Sequence, residues 1–366
     1  MRPAYANLVR TYGGGRTLFE ATYGLEEITV RTDMNFGRVK GFWGGSPILE
    51  VPTELGQVTP EVATLTEIVE RDIANPVPIL FDLVAQSIED AWLPDAFHLI
   101  LHSSGWDSRV ISGAIKKLVK KNGTDWLGAG LFFLCNRWEM GNFTKIMQAM
   151  GWDADRYATY AEGAADEHFA VPVYDVWRCA PMPRPGNFFW YLPEWAEKKG
   201  LIPSENVQTF TGLWANEVWN CFYPIANSDW PRRVRKKYGC HMIASQPIKA
   251  QWVEYPLVSL PILDVLRRTQ PVCGIGNDLR REVSAFACPE AKHIERVNIS
   301  DGSHPISGRL QLELDAHYKK TVYGQHVEWR VPNHSGSSTD WARWSVALLT
   351  QKLIDNGAQC KWAQNT

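Results

Sequence analysis

Between residues 97 and 121 the sequence reads FHLILHSSGWDSRVISGAIKKLVKK, and that order of residue types constrains the fold more than any other stretch. FHLILHSS (97 to 104) is a short apolar run suited to a buried parallel strand. Gly105 breaks it, and Ser108 to Lys121 has helical spacing. The product is a strand, a tight loop and a helix. The alternation recurs: GAGLFFLCN (128 to 136) precedes the helix-like WEMGNFTKIMQAMG, and VQTFTG (207 to 212) precedes a helix from Ala215 onward. Repeated units of this kind require a parallel sheet with helices on both faces.

The flanking segments complete the expectation. Residues 16 to 43, with turn signals at Asn35 and Gly37, predict two or three short strands in a hairpin. Pro76 and Pro78 mark a break, followed by the amphipathic helix ILFDLVAQSIEDAW. The proline- and aromatic-rich middle stretch VPVYDVWRCAPMPRPGNFFWYLPEW reads as a loop and helix over the sheet. After Arg232 the chain reads as mostly helical, with a β-like or irregular patch around residues 292 to 332. The predicted fold class is α/β: a parallel sheet with flanking helices, a helical C-terminal part and a short N-terminal β-hairpin. The predicted division is residues 1–57 as hairpin and linker and 58–366 as the main domain.

Composition excludes several functions. With 38 basic against 40 acidic residues, the net charge of -2 gives no general affinity for nucleic acid or acidic membranes. No stretch has the roughly 18 apolar residues a membrane helix needs. Seven cysteines, scattered and never in a C-x-x-C pair, form neither a disulfide framework nor a zinc pattern, which fits a reducing cytoplasm. H-E-x-x-H and G-x-S-x-G are absent. The 17 tryptophans read as core fillers, and the basic runs KKLVKK (116 to 121) and RRVRKK (232 to 237) as solvated helix faces.

The loop after the first strand carries the chemistry. A strand-to-helix loop aims backbone N–H groups and the positive helix end at whatever lies beyond the strand, which favours phosphate. Ser103, Ser104 and Ser108 offer hydroxyl donors, Gly105 lets the backbone approach an anion, and Asp107 can hold a magnesium ion. Trp106 reads as the variable position, and Asp107 as a solvent-facing carboxylate that contributes little to the core. A Walker loop is excluded, because Asp107 stands where that motif needs lysine.

This segment resembles the S-G-G-x-D-S loop of the ATP pyrophosphatases, with Ser104 at the first glycine. TFTGLWANEVW (209 to 219) is similar to the S-G-E-G-A-D-E-L-F segment of the synthetase domain of asparagine synthetases. WVEYPLVSLPILDVLRRTQP (252 to 271) resembles the family's V-R-x-P-F-L-D stretch, and DLRREVSAFACPE (278 to 290) its L-R-E-A-x-x-x-x-L-P-E segment. FLCNRWEM is similar to its second strand, and GRTLFEATYGLEEITV with GRVKGFW (37 to 43) to the linker before the synthetase domain.

The resemblance implies an adenine nucleotide alpha hydrolase-like fold and an AMP-forming ligase that uses ATP and Mg2+. It adenylates a small-molecule acyl substrate and then forms an amide with ammonia or another amine. The glutaminase domain of full-length asparagine synthetases has no counterpart here, so ammonia comes from solution or from a separate glutaminase subunit, or the nucleophile is another amine. On this resemblance Ser103, Ser104, Gly105, Asp107, Ser108, Thr211 and Gly212 bind ATP and pyrophosphate. Asp107 and Asn216 hold the metal, and Asp107, Glu217 and Arg296 serve catalysis, Arg296 standing near the family's phosphate-reaching lysine. Leu213, Trp214 and Asn216 replace glutamate, glycine and aspartate of the family pattern, which removes one proton acceptor and one metal-binding charge. Two alternatives stay open. One is a sulfur-transfer or nucleobase-modifying enzyme, which calls for a cysteine near the loop, Cys135 being the candidate. The other is a nucleotide-binding homologue that has lost catalysis.

Overall fold

The computed structural model describes residues 27–31, 49–50, 69–135, 140–159, 192–212, 252–257, 259–270, 276–297, 307–331 and 354–363, with isolated positions 215, 219, 344, 347, 348, 350 and 351. Two sheets organise them. In the first, β1 (Glu27–Arg31) pairs antiparallel with β2 (Leu49–Glu50), placing Val30 opposite Leu49. Helix α1 (Pro76–Ala91) precedes β3 (Phe97–His102), which the tight loop joins to α2 (Trp106–Asn122). Next come β4 (Leu131–Cys135), α3 (Met140–Ala149), β5 (Tyr157–Thr159), α4 (Leu192–Lys198) and β6 (Val207–Thr211). Then follow β7 (Trp252–Glu254), α5 (Leu260–Arg268), α6 (Gly276–Ala287), α7 (Gly308–Lys320), α8 (Val322–His326) and β8 (Gln359–Ala363).

The second sheet is the parallel one the sequence predicts, five strands in the order β5-β4-β3-β6-β7. β3 lies at its centre, with Ile100 beside Phe133 of β4 and Phe210 of β6. The chain steps from β3 outward through β4 to β5, then returns to the other side of β3 with β6. Strand order therefore reverses between β3 and β6, and in open α/β sheets ligands bind in the crevice at such a point. Ile100, Phe133 and Phe210 join one hydrophobic core with residues of α1, α2, α3, α5 and α6. Leu99, Leu101, Phe132 and Leu134, on the alternate positions, are buried as well, as expected of a strand covered on two faces.

Helix α2 runs from Trp106 because Gly105 takes an extended N-cap conformation, and it stops at Gly123, whose φ of 85° suits glycine. Asp107 in its first turn and Lys120 and Lys121 in its last complement the helix dipole. One stripe of α2 meets the end of α6 and the turn after it. A Cβ on Gly113 would lie 2.4 Å from the Ala287 carbonyl oxygen, so only glycine admits that approach. One turn further along the stripe, Lys116 pairs with Glu290, while Lys117 and Lys121 pair with Asp82 and Glu89 of α1. KKLVKK is thus a set of partly exposed ion pairs between elements, and no open basic patch.

Three expectations need correction. Pro76 does not interrupt the structure but starts α1, since proline fits a first helical turn whose N–H needs no partner. Within residues 292 to 332 the stretches 292–297 and 327–331 are irregular as expected, but the described chain between them holds two helices, α7 and α8, with Ser307 capping the first through a 3.1 Å bond from Leu310 N–H. The sequence misleads there because LQLEL alternates as a strand does. The helix buries Leu310 and Leu314, one turn apart, and leaves Leu312 71% exposed. The turn expected at Asn35 and Gly37 lies outside the described residues; β1 pairs with residues 49 and 50, beyond the 16 to 43 window, and β8 joins it in parallel, Glu27 opposite Gln359. That pairing of chain ends is non-local and left no periodic signal. Trp92, Trp195, Trp219 and Trp344 fill the interior as expected: Trp219 donates to the Leu257 carbonyl at 2.7 Å, and Trp92 stacks on His98 and Trp126.

Two core histidines set the acid response. His98 donates from Nδ1 to the Gly130 carbonyl at 3.2 Å, and His102 is enclosed by Phe133 and Phe143. Burial lowers His98 to about 4 and His102 to about 3. Below about pH 6.5 the unfolded chain takes up protons that the folded chain refuses, so stability falls as pH drops from 6.5 toward those values. Between pH 6 and pH 5 the two should together remove about 2 kcal/mol. Urea unfolding at stepped pH checks this: His102→Leu should cut the slope roughly in half, and an unchanged slope contradicts the assignment.

Candidate functional site

The loop from Ser103 to Ser108 is built by its own hydroxyls. Ser108 Oγ accepts from Ser103 N–H at 3.0 Å and shares a hydrogen bond with Ser103 Oγ, which in turn accepts from Gly105 N–H at 3.0 Å. Ser104 is fully buried, and its hydroxyl accepts from Val297 N–H at 2.8 Å. Of the three serines expected to face phosphate, Ser104 therefore faces inward. The loop keeps the backbone N–H groups of the first turn of α2 for outside partners, since the first intrahelical bond is from Arg109 N–H to the Gly105 carbonyl.

Arg109, which sequence reasoning missed, holds this shape. Its guanidinium is 2% exposed and donates from Nε and Nη2 to the Ser104 carbonyl (3.1 and 2.9 Å) and from Nη1 to the Ala291 carbonyl (3.1 Å). Its own carbonyl accepts from the buried Cys288 thiol at 2.9 Å. A signal was present: Arg109, Gly113 and Lys116 lie on one stripe of a helix whose neighbouring positions are apolar, and all three meet residues 287 to 291.

The second predicted loop reaches the first. Thr211 is buried at the end of β6, opposite Leu101 of β3. A Cβ on Gly212 would stand 2.8 Å from Asp107 Cβ and 3.3 Å from Ser108 N, so the two loops touch at a position that only glycine fills without displacement. Leu213, Trp214, Asn216 and Glu217 lie outside the described residues.

Asp107 differs from the expectation of a solvent-facing carboxylate. Its side chain is 23% exposed and pairs with Arg280 of α6, whose side chain is 5% exposed, at 3.0 and 3.2 Å from one Nη1 to both carboxylate oxygens. Burial pushes the carboxyl above the usual carboxylate range, while Arg280 and then Arg296 draw it back. Trp106 is likewise more than a variable position. The Arg296 guanidinium stacks over its indole at 4.2 Å from the ring centre, and that of Arg280 lies 5.8 Å away. Arg296 is thereby brought beside the loop. Next to it opens a cavity of about 610 Å³ lined by Trp106, Arg109, Arg281, Ser284, Lys292 and Arg296 among others. Cys135, at the carboxyl end of β4, is fully buried in the hydrophobic core.

The arrangement is a helix N-terminus at a strand-order reversal, with three arginines and one carboxylate converging on it. It can hold a polyanion through N–H groups and guanidinium donors. For a hard cation, Asp107 supplies one carboxylate; no group of three His, Cys, Asp or Glu residues occurs among the described residues. One carboxylate at this place fits a magnesium ion bound jointly with phosphates, where one or two carboxylates suffice. Models of known protein families and curated proteins yield no match to this chain.

Gly212→Ala should lower stability by about 1–3 kcal/mol, because the added methyl must push the two loops apart. Chemical denaturation checks it, and a variant as stable as the parent contradicts the contact.

Proposed function

We propose that this chain binds ATP across the carboxyl ends of β3 and β6 and uses it to adenylate a carboxylate, releasing pyrophosphate, before an amine displaces AMP to form an amide. One observation carries the reading: the loops at Ser103–Ser108 and Thr211–Gly212, far apart in sequence, meet at the switch point with Arg280 and Arg296 against them. Their order and separation are also those of the ATP pyrophosphatase resemblance.

A free carboxylate is a poor electrophile, and joining it to AMP gives a mixed anhydride with a good leaving group. Backbone N–H groups at the start of α2, with Arg296 beside Trp106, would offset charge that builds on the phosphates as pyrophosphate departs. Magnesium, held by Asp107 with Asn216 as second ligand, would supply further charge neutralisation there. The cationic cavity beside Trp106, walled by Arg281, Lys292 and Arg296, suits an acidic substrate. Glu217 is the candidate carboxylate for handling the amine's proton.

The enclosed position of Cys135 disfavours sulfur transfer, since a nucleophilic thiolate needs access and a stabilising charge. The reading of a nucleotide binder without catalysis is separated by turnover. Exchange of labelled pyrophosphate into ATP, run with a panel of carboxylic acids, should rise above background with at least one acid and fall at least about 100-fold in Asp107→Asn. ATP binding with no exchange for any acid favours the binder; equal exchange in Asp107→Asn removes the proposed role of the loop.

A further inference from the structure

We propose that the acid this chain activates carries, beyond its reacting carboxylate, a doubly negative group and no ammonium group, and that this group lodges in the cavity beside Trp106. The proposal rests on the reading of the loop as an adenylating site.

The cavity lies between the start of α2, one face of α6 and the segment after it, and its volume of about 610 Å³ is in the range of sites for small molecules. Trp106 belongs to both places, as the first residue of α2 and as a wall of the cavity, so an acid held here stands next to the loop. The charge of the lining is one-sided. Arg281 from α6, with Lys292 and Arg296 from the segment after it, faces the single carboxylate of Glu295. Among the described residues none of these three cations is in an ion pair, whereas Lys116, Lys117 and Lys121 of α2 each hold a carboxylate. Arg296 is fixed by its stacking on Trp106, and a guanidinium that stacks through its face keeps its in-plane donors for an anion. Ser284, 3% exposed, adds a hydroxyl to the wall from α6. Three cations against one carboxylate leave at least two positive charges for a ligand to balance, which sets the doubly negative group. An ammonium on the ligand would add to the excess and be repelled. A phosphate and a pair of carboxylates both meet this description, and both take guanidinium donors in pairs.

Isothermal titration of the full chain without nucleotide, with 3-phosphonopropionate, tricarballylate and aspartate as probes, tests this. At least one of the first two should bind at least about 10-fold more tightly than aspartate, and the better of them identifies the group as phosphate-like or as paired carboxylates. Arg281→Gln/Lys292→Gln should erase that margin; both side chains are exposed, so the fold does not depend on them. Lys319→Gln/Lys320→Gln, which removes two charges from the exposed end of α7, should leave the margin as it is. No preference over aspartate, a preference that persists in the Arg281 and Lys292 variant, or an equal loss in the α7 variant would each overturn the proposal. The same acids in the pyrophosphate exchange assay keep the two readings apart. Binding that depends on Arg281 and Lys292 without exchange would sink adenylation and leave the anion site standing; exchange with aspartate alone would keep adenylation and overturn the substrate class.

Discussion

Burying a guanidinium is costly unless each face of it finds an acceptor, and Arg109 meets that demand by pulling two distant backbone carbonyls onto itself. One is Ser104, inside the loop; the other is Ala291, 182 residues apart from Arg109 in sequence. The bond fixes the loop and the segment after α6 in one arrangement. From there the rest follows in sequence: Val297 N–H reaches the Ser104 hydroxyl, and Arg296 settles on Trp106. Gly113 makes this possible by letting the end of α6 approach α2 without a side chain between them. Replacing Arg109 would take its donors from two carbonyl acceptors at the base of the site, and replacing Gly113 would bring a clash there.

The electrostatic consequence is a local excess of positive charge in a protein whose net charge is only -2. Arg280, Arg296 and the N-terminal end of α2 stand about the carboxylate of Asp107, and Arg109 lies beneath the loop on the Ser104 carbonyl. A helix end contributes about half a unit charge, so the balance is positive even with Asp107 ionised. Sheet topology puts this excess at the reversal between β3 and β6, the place where open α/β sheets bind ligands. Fold and charge therefore point to one place, and an anion with several charges is what both would accept.

How much of this was readable depends on whether the cause is local. The β3–loop–α2 unit was legible because each step is written in consecutive residues: an apolar run, a glycine, then helical spacing. The parallel sheet followed from repetition of that unit. The meeting of the two loops was legible only through the order of motifs, and Gly212 against Asp107 supplies its physical reason. What escaped was long-range. Arg280 and Asp107 are 173 positions apart, and nothing in either segment names the other. β8 joins β1 across nearly the whole chain. Leu312 shows the opposite failure, in which a local pattern was present but belonged to the wrong period.

The central claim is that a nucleotide's phosphates lie against the N-terminal end of α2, between the Ser103–Ser108 loop and Gly212. A crystal structure of the full chain with α,β-methylene-ATP and magnesium tests it most directly. The account predicts phosphate oxygens within hydrogen-bond distance of the backbone N–H groups of Trp106 to Ser108, beside Gly212. Nucleotide bound elsewhere, with no phosphate against the first turn of α2, would contradict it.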